Sequence, residues 1–96
     1  MNGKRVMFLG GASGIGASCI RLFAERGAAI VFGDIQADRG EELASEVRAA
    51  GGTISFHPAD ATSEEDVARL TSAAVDELGG LDVFVSIAGI ASSCAS

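Results

Sequence analysis

Tyrosine and tryptophan are absent from this 96-residue chain, and histidine and proline occur once each. Without tyrosine there is no phenol to give or take a proton. The single histidine, His57, has no serine and acid arranged around it, which excludes a hydrolytic triad and leaves a structural role as the expectation. Ser13 sits in no G-x-S-x-G turn, so it is not a nucleophile of that kind either. Cysteine is scarce: Cys19 and Cys94 make no disulfide framework and have no metal-ligand spacing, so no metal site is expected. Cys19, at helical spacing with Ile15 and Phe23, is expected to be a buried thiol. Basic residues are few, 7 against 13 acidic, and the net charge of −6 argues against nucleic acid or an anionic membrane as partner. No apolar run approaches the ~20 residues of a membrane span, and the run after Lys4-Arg5 is too short for a secretory signal. A cytoplasmic location is the resulting expectation.

Glycine, in contrast, is abundant, with 13 residues. Four of them, Gly10, Gly11, Gly14 and Gly16, crowd into FLGGASGIG directly after an apolar run. Glycine costs about 1 kcal/mol against alanine in a regular element, so such a cluster marks backbone that must approach something closely. Around it, strand-like and helix-like segments alternate. Lys4–Leu9, Ala28–Gly33, Thr53–His57 and Leu81–Ile87 read as apolar strands. Gly14–Arg26, with Ile15, Cys19, Leu22 and Phe23 on one face, reads as the first helix. Asp38–Ala50, burying Leu43, Val47 and Ala50, reads as the second and stops at Gly51-Gly52. The third carries Val67, Leu70, Ala74 and Leu78 inward, with Thr62 as N-cap and Glu65 reaching back. The order β-α-β-α-β-α-β with continuously apolar strands predicts an α/β fold, a four-stranded parallel sheet with helices on both faces. Residues 91–96 read as an unstructured tail.

A glycine turn between a strand and a helix N-terminus is suited to phosphate, because unpaired N–H groups and the helix dipole both face the anion. A nucleoside-triphosphate loop is excluded by Ala17, which stands where a lysine must reach the terminal phosphates. A dinucleotide's pyrophosphate needs close backbone approach and no lysine. The spacing present, Gly10-x-x-x-Gly14-x-Gly16, resembles the T-G-x-x-x-G-[IL]-G turn of the short-chain dehydrogenase/reductase family. Further segments agree in order along the chain. Asp34 closes the second strand, Asp60-Ala61 follows the third, Gly80-Leu81-Asp82 opens the fourth, and Ser86-Ile87-Ala88-Gly89 stands where the family has N-N-A-G. The resemblance covers about Lys4 to Ile90 and implies an α/β partial Rossmann fold with strand order 3-2-1-4, residues 1–90 forming one truncated dinucleotide-binding domain.

That resemblance implies a role for each position. Gly10 allows the tight turn, Gly11, Ala12 and Ser13 line the adenosine phosphate and ribose, and Gly14, Ile15 and Gly16 start the helix under the pyrophosphate. Asp34 and Ile35 flank the adenosine ribose, Asp60 and Ala61 the adenine, and Ser86, Ala88 and Gly89 the floor. Asp34 further implies NAD in preference to NADP, with Arg39 the only candidate cation near a 2′-phosphate. Bland readings stand beside these: Asp34 solvating a strand end, Asp60 only starting a helix, and Asp82 serving as a turn residue.

The sequence also departs from the family. Leu9 replaces the threonine of the first turn, and Ser86 and Ile87 replace the two asparagines, so a polar clasp between facing strand ends becomes an apolar contact. The family's serine and Y-x-x-x-K pair have no counterpart, so no catalytic residue is expected here. Two functions remain: the NAD(H)-binding portion of a dehydrogenase or reductase, inactive alone, or a nucleotide-binding or assembly module without chemistry. The fourth strand, apolar and little guarded, predicts self-association or a partner covering it, with Val85 on its exposed side.

Overall fold

The computed structural model describes residues 3–10 and 14–87. Gly11, Ala12, Ser13, Ala88, Gly89 and residues 91–96 lie outside them. The elements run β1 (Arg5–Leu9), α1 (Gly14–Glu25), β2 (Ala29–Asp34), α2 (Ala37–Ala49), β3 (Thr53–Pro58), α3 (Glu64–Leu78) and β4 (Val83–Ser86). Four strands form one sheet in the order β3-β2-β1-β4, as the family resemblance implies. All pairs are parallel, with Val6 against Ile30 and Val83, and Ile30 against Ile54.

Alternate strand residues feed two separate cores. Val6, Phe8, Ile30, Phe32, Ile54 and Phe56 point to the α1–α2 face, where Ala17, Ile20, Leu43, Ala44 and Val47 meet them. Met7, Leu9 and Val31 point to the other face, under Leu70 and Ala74 of α3. Burial on both faces is why β1 and β2 carry no polar alternation.

The seat of α1 differs from the expected one. Gly16, Ala17 and Ile20 are buried, whereas Ile15 is 69% and Leu22 46% exposed. Small residues at 16 and 17 let the helix backbone press onto the strands, and that contact rotates Ile15 and Leu22 outward. Cys19 is accordingly half-buried, and Phe23 meets the edge of Phe8 at a centroid distance of 5.3 Å. In α2, Leu43 and Val47 are buried as expected, but Ala50 is the exposed C-cap. A Cβ built on Gly40 would fall on the Phe56 ring, so glycine sets how closely α2 approaches β3.

The cap of α3 is also displaced by one residue. Ser63, not Thr62, caps the helix, its Oγ accepting from the Asp66 N–H at 3.2 Å. Thr62 is taken by Asp60, whose Oδ1 accepts both its N–H and its hydroxyl. The other end closes on Gly79 at φ +78°, a left-handed C-cap that disfavours any side chain.

β4 is shorter than the expected Leu81–Ile87. Asp82 explains its start: its carboxylate, not a strand carbonyl, accepts the Arg5 N–H at 2.9 Å, and its own N–H bonds the Arg5 carbonyl at 2.8 Å. The Arg5 guanidinium forks onto both Asp82 carboxylate oxygens and reaches the Gly79 carbonyl. This staple joins β1, the end of α3 and β4, as the turn-residue reading of Asp82 anticipates, and holds the Asp82 carboxyl down at about 2.

Candidate functional site at the carboxyl edge of the sheet

Because every strand is parallel, Leu9, Asp34, Pro58 and Ser86 all lie at one edge. The chain moves outward from β1 to β3 and then crosses back to β4, so the topological switch point falls between β1 and β4. In open α/β sheets a ligand binds in the crevice at that point, outside the strand ends.

Gly10 leaves β1 at φ +78°, a conformation few side chains adopt, and its N–H bonds the Gly33 carbonyl at 2.6 Å. The turn is thereby fastened to β2. Gly14 reopens the chain at φ +53° as the first residue of α1, and Gly16 is buried where that helix meets the sheet. Ile15, between them, projects outward. The described part of the turn has the shape that close backbone approach requires. Gly11, Ala12 and Ser13 complete it in sequence.

Asp34 ends β2 with its side chain 9% exposed. Its Oδ1 accepts the Gln36 N–H at 2.9 Å, an Asx turn that directs Ile35 into solvent. Its backbone carbonyl holds the Ala59 N–H, tying the β2 and β3 ends together. Beyond β3, Asp60 and the half-buried Ala61 form the next wall. Thr62 occupies Asp60 Oδ1 and keeps the carboxyl below its usual range by hydrogen bonding to the charged form. Oδ2 is left as an acceptor for an amino group arriving from outside. Asp60 therefore organises the start of α3, as its helix-entry reading anticipates.

On the β1–β4 side, Leu9 is the ladder partner of Ser86, and Leu9 is buried. The facing strand ends thus set Leu9 opposite the polar Ser86, while Ile87 packs on the other face of the sheet, so the apolar contact expected from the two replacements does not form between them. Ser86 keeps a hydroxyl at the crevice. His57 lies apart from this edge chemistry, its Nε2 paired with Glu77 of α3 at 2.6 Å.

Two supporting groups were not singled out from sequence, and a third, Thr62, was singled out only as a helix cap. Gly33 accepts from Gly10, and a Cβ there would run into Leu70 and Ala59. Asp66 Oδ2 accepts the Asp60 N–H at 2.9 Å and fixes that loop from the helix side. Thr62 orients the Asp60 carboxylate; the D-x-T spacing of an Asx turn was its sequence signal. Arg39 shares a groove of about 690 Å³ between α1 and α2 with Gly14, Ala17 and Arg21, where Glu42 and Glu46 offset the positive charge.

The residues present suit a dinucleotide: a turn of glycines and small residues in sequence at a helix start, one carboxylate at the β2 end, and a second beyond β3. Among the described residues no group of acidic, histidine or cysteine side chains is arranged to hold a metal ion, and no helix is long and apolar enough to cross a membrane.

Comparison with known proteins points the same way. The short chain dehydrogenase family profile matches residues 4–96. Cis-4-hydroxycyclohexanecarboxylate dehydrogenase of Sinomonas cyclohexanicum is 49% identical over 82 residues, 85% of this chain and 32% of that protein. (+)-Borneol dehydrogenase 1 of Salvia officinalis is 43% identical over 90 residues, 94% of this chain and 34% of its own. The chain spans about a third of the length of these relatives. The crystal structure of a hydroxysteroid dehydrogenase from Escherichia coli superposes with a TM-score of 0.85 at 33% identity, covering 88% of this chain and 36% of that one.

Proposed function

The chain belongs to the short-chain dehydrogenase/reductase family, and we propose that its 96 residues are the NAD(H)-binding portion of such an oxidoreductase. The observation that carries this reading is the juxtaposition at one sheet edge of the Gly10–Gly16 turn, the Asp34 carboxylate and Asp60. The bound cofactor would supply or accept a hydride. What this chain contributes is grip and orientation. The N–H groups of the turn and the start of α1 face the pyrophosphate, with Gly11, Ala12 and Ser13 beside the adenosine phosphate. Asp34 accepts from the adenosine ribose hydroxyls next to Ile35, and Asp60 Oδ2 accepts from the adenine amino group next to Ala61. Ser86, Ala88 and Gly89 form the floor.

NAD is preferred over NADP in this reading. Like charges ~4 Å apart cost up to ~4 kcal/mol at an effective dielectric of ~20, and solvent screening reduces this to ~10- to 100-fold discrimination. Arg39 is the one cation placed to oppose it, and acidic neighbours share its groove. The chain has no tyrosine, so alone it is expected to transfer no hydride to or from an alcohol or carbonyl; loss of a general acid costs ~10²–10⁴ in rate.

Titration calorimetry of the chain with NAD, NADP and ADP-ribose tests the assignment. Saturable NAD binding that weakens in Asp34→Ala and exceeds NADP binding is the expected result. Equal or tighter NADP binding would overturn the cofactor preference. Failure of all three ligands to bind the folded chain would overturn the cofactor-binding reading itself.

A further inference from the structure

The loop from β3 to α3 is pinned around Asp60. Just before it, the Ala59 N–H bonds the Asp34 carbonyl at 3.1 Å, and just after it the Ser63 N–H bonds the Asp60 carbonyl at 3.0 Å. Thr62 donates twice to Asp60 Oδ1, from its N–H at 2.9 Å and its hydroxyl at 2.7 Å. The Asp60 N–H is held by Asp66 Oδ2 at 2.9 Å.

That last bond departs from ordinary helix capping. Asp66 follows the N-cap Ser63 by three positions, and Ser63 Oγ accepts its N–H. In a capping box the acid at this place reaches back to the N–H of the N-cap residue itself. Here the Asp60 carbonyl has taken that N–H, and the Asp66 carboxylate reaches past the helix end to Asp60. Its other oxygen, Oδ1, meets the Arg69 guanidinium at 2.8 Å, so the carboxylate is steadied from both sides. The Asp66 side chain is 26% exposed, which shields the bond from much of the solvent. The N–H, the carbonyl and Oδ1 of Asp60 are thus all committed within the loop, and Oδ2 is the atom assigned above to the adenine amino group.

We propose that Asp66 is a positioning residue for base recognition: by holding the Asp60 N–H it fixes the Asp60 carboxylate and so selects adenine over a keto-purine. The inference rests on the cofactor reading of Asp60 and deepens it. An amino-purine presents a hydrogen-bond donor at C6. A keto-purine presents an acceptor there, which a carboxylate repels, and carries its donor one ring atom away on N1. A carboxylate free to shift can follow that proton and accept either base. One pinned through Asp66 and Thr62 cannot, so it discriminates. Base selectivity then depends on a helix residue that acts only through Asp60.

Calorimetry of the chain with NAD and with its hypoxanthine analogue tests this. The wild-type chain should prefer NAD ~10-fold, the worth of one hydrogen bond to a charged group. Asp66→Ala should reduce the preference to ~2-fold or less, while Asp66→Asn, whose amide oxygen still accepts the Asp60 N–H, should retain it. Ser63→Ala uncaps α3 but leaves the Asp66–Asp60 bond, so it should lower stability and keep the preference, a split that a merely structural role of Asp66 does not produce. If Asp66→Ala does not fold by circular dichroism, Asp66→Glu, which displaces the carboxylate by one methylene, carries the same expectation. A folded variant that weakens NAD and the analogue equally, with the preference unchanged, overturns the proposal and leaves the cofactor reading standing. Loss of the preference in Asp66→Asn or Ser63→Ala as well would mean general loosening of the helix start and also overturns it. Wild-type binding of both dinucleotides without preference overturns it through Asp60. Failure of the folded chain to bind NAD at all overturns the cofactor reading, and the proposal with it.

Discussion

β3 ends the sheet beneath α2, with Ile54 and Phe56 buried, Phe56 packed on Phe32 at 5.0 Å, and Gly40 bringing the helix down onto the ring. β4 ends it on the other side with every residue of the strand half-buried or exposed. Among the described residues, the same parallel sheet is therefore more deeply buried at one flank than at the other. The more deeply buried flank carries Asp34 and Asp60, the residues assigned to ribose and adenine. The other flank carries Leu9 and Ser86, which face each other across the β1–β4 ladder. The β3 side thus rests on ordinary core packing, and the β4 side rests on a polar staple and a four-residue ladder.

The sharpest way to break this contrast is to make the same substitution on both flanks. Phe56→Ala should cost ~3–5 kcal/mol, since it removes a buried ring that contacts both α2 and Phe32. For a domain whose total stability is ~5–15 kcal/mol, urea unfolding should show a large loss or outright unfolding. Gly40→Ala presses on the same ring from the helix side. The ring is enclosed and cannot swing away, so overpacking should cost ~1–3 kcal/mol despite the better helix propensity of alanine. Phe84→Ala, on the other flank, should change stability by no more than ~1 kcal/mol, because its ring already retains much of its solvent contact. A loss at Phe84 as large as that at Phe56 would show that the two flanks are equally buried.

The same division governs what the sequence disclosed. The parallel sheet and the clustering of Gly10, Asp34, Asp60 and Ser86 at one edge were legible, because buried parallel strands are continuous apolar runs and glycine turns mark close approach; the strand order came with the family resemblance. The facing of Leu9 and Ser86 was legible for the same reason. Which side of α1 faces the sheet was not. Ile15 and Leu22 look like core by periodicity, and only the closeness allowed by Gly16 and Ala17 turns them out. The cap was misplaced because Thr62 and Ser63 are adjacent and equally suitable in isolation; Asp60, by engaging Thr62, leaves the role to Ser63. Val85 was expected on the exposed side of β4, but its side chain packs on the α1–α2 face and Phe84 is the exposed one. A four-residue strand offers too little alternation to fix its own face, and the ladder with Met7 and Phe8 decides it.

The smallest expected effect concerns the staple that starts β4. Arg5 holds the Asp82 carboxyl at about 2, through hydrogen bonds from its side chain first and from its backbone N–H second. A carboxylate whose pKa is lower folded than unfolded stabilises the folded state above its unfolded pKa, near ~4, and loses that contribution as pH falls toward the folded value. The pair is solvent-accessible, so the effect should be modest and should shrink with added salt. Asp82→Asn removes the charge and weakens the fork. The thermal midpoint of the wild-type chain should exceed that of the variant most clearly above about pH 5, and the two should converge between about pH 4 and pH 2. Glu46 beside Arg21 and Asp60 beside Thr62 are also held below their ordinary values, so both proteins should still lose stability on acidification, the variant less steeply. A difference that persists unchanged to pH 2 would mean that Asp82 acts through the geometry of the β4 turn alone, and that the β4 flank needs no charge to hold its first residue in place.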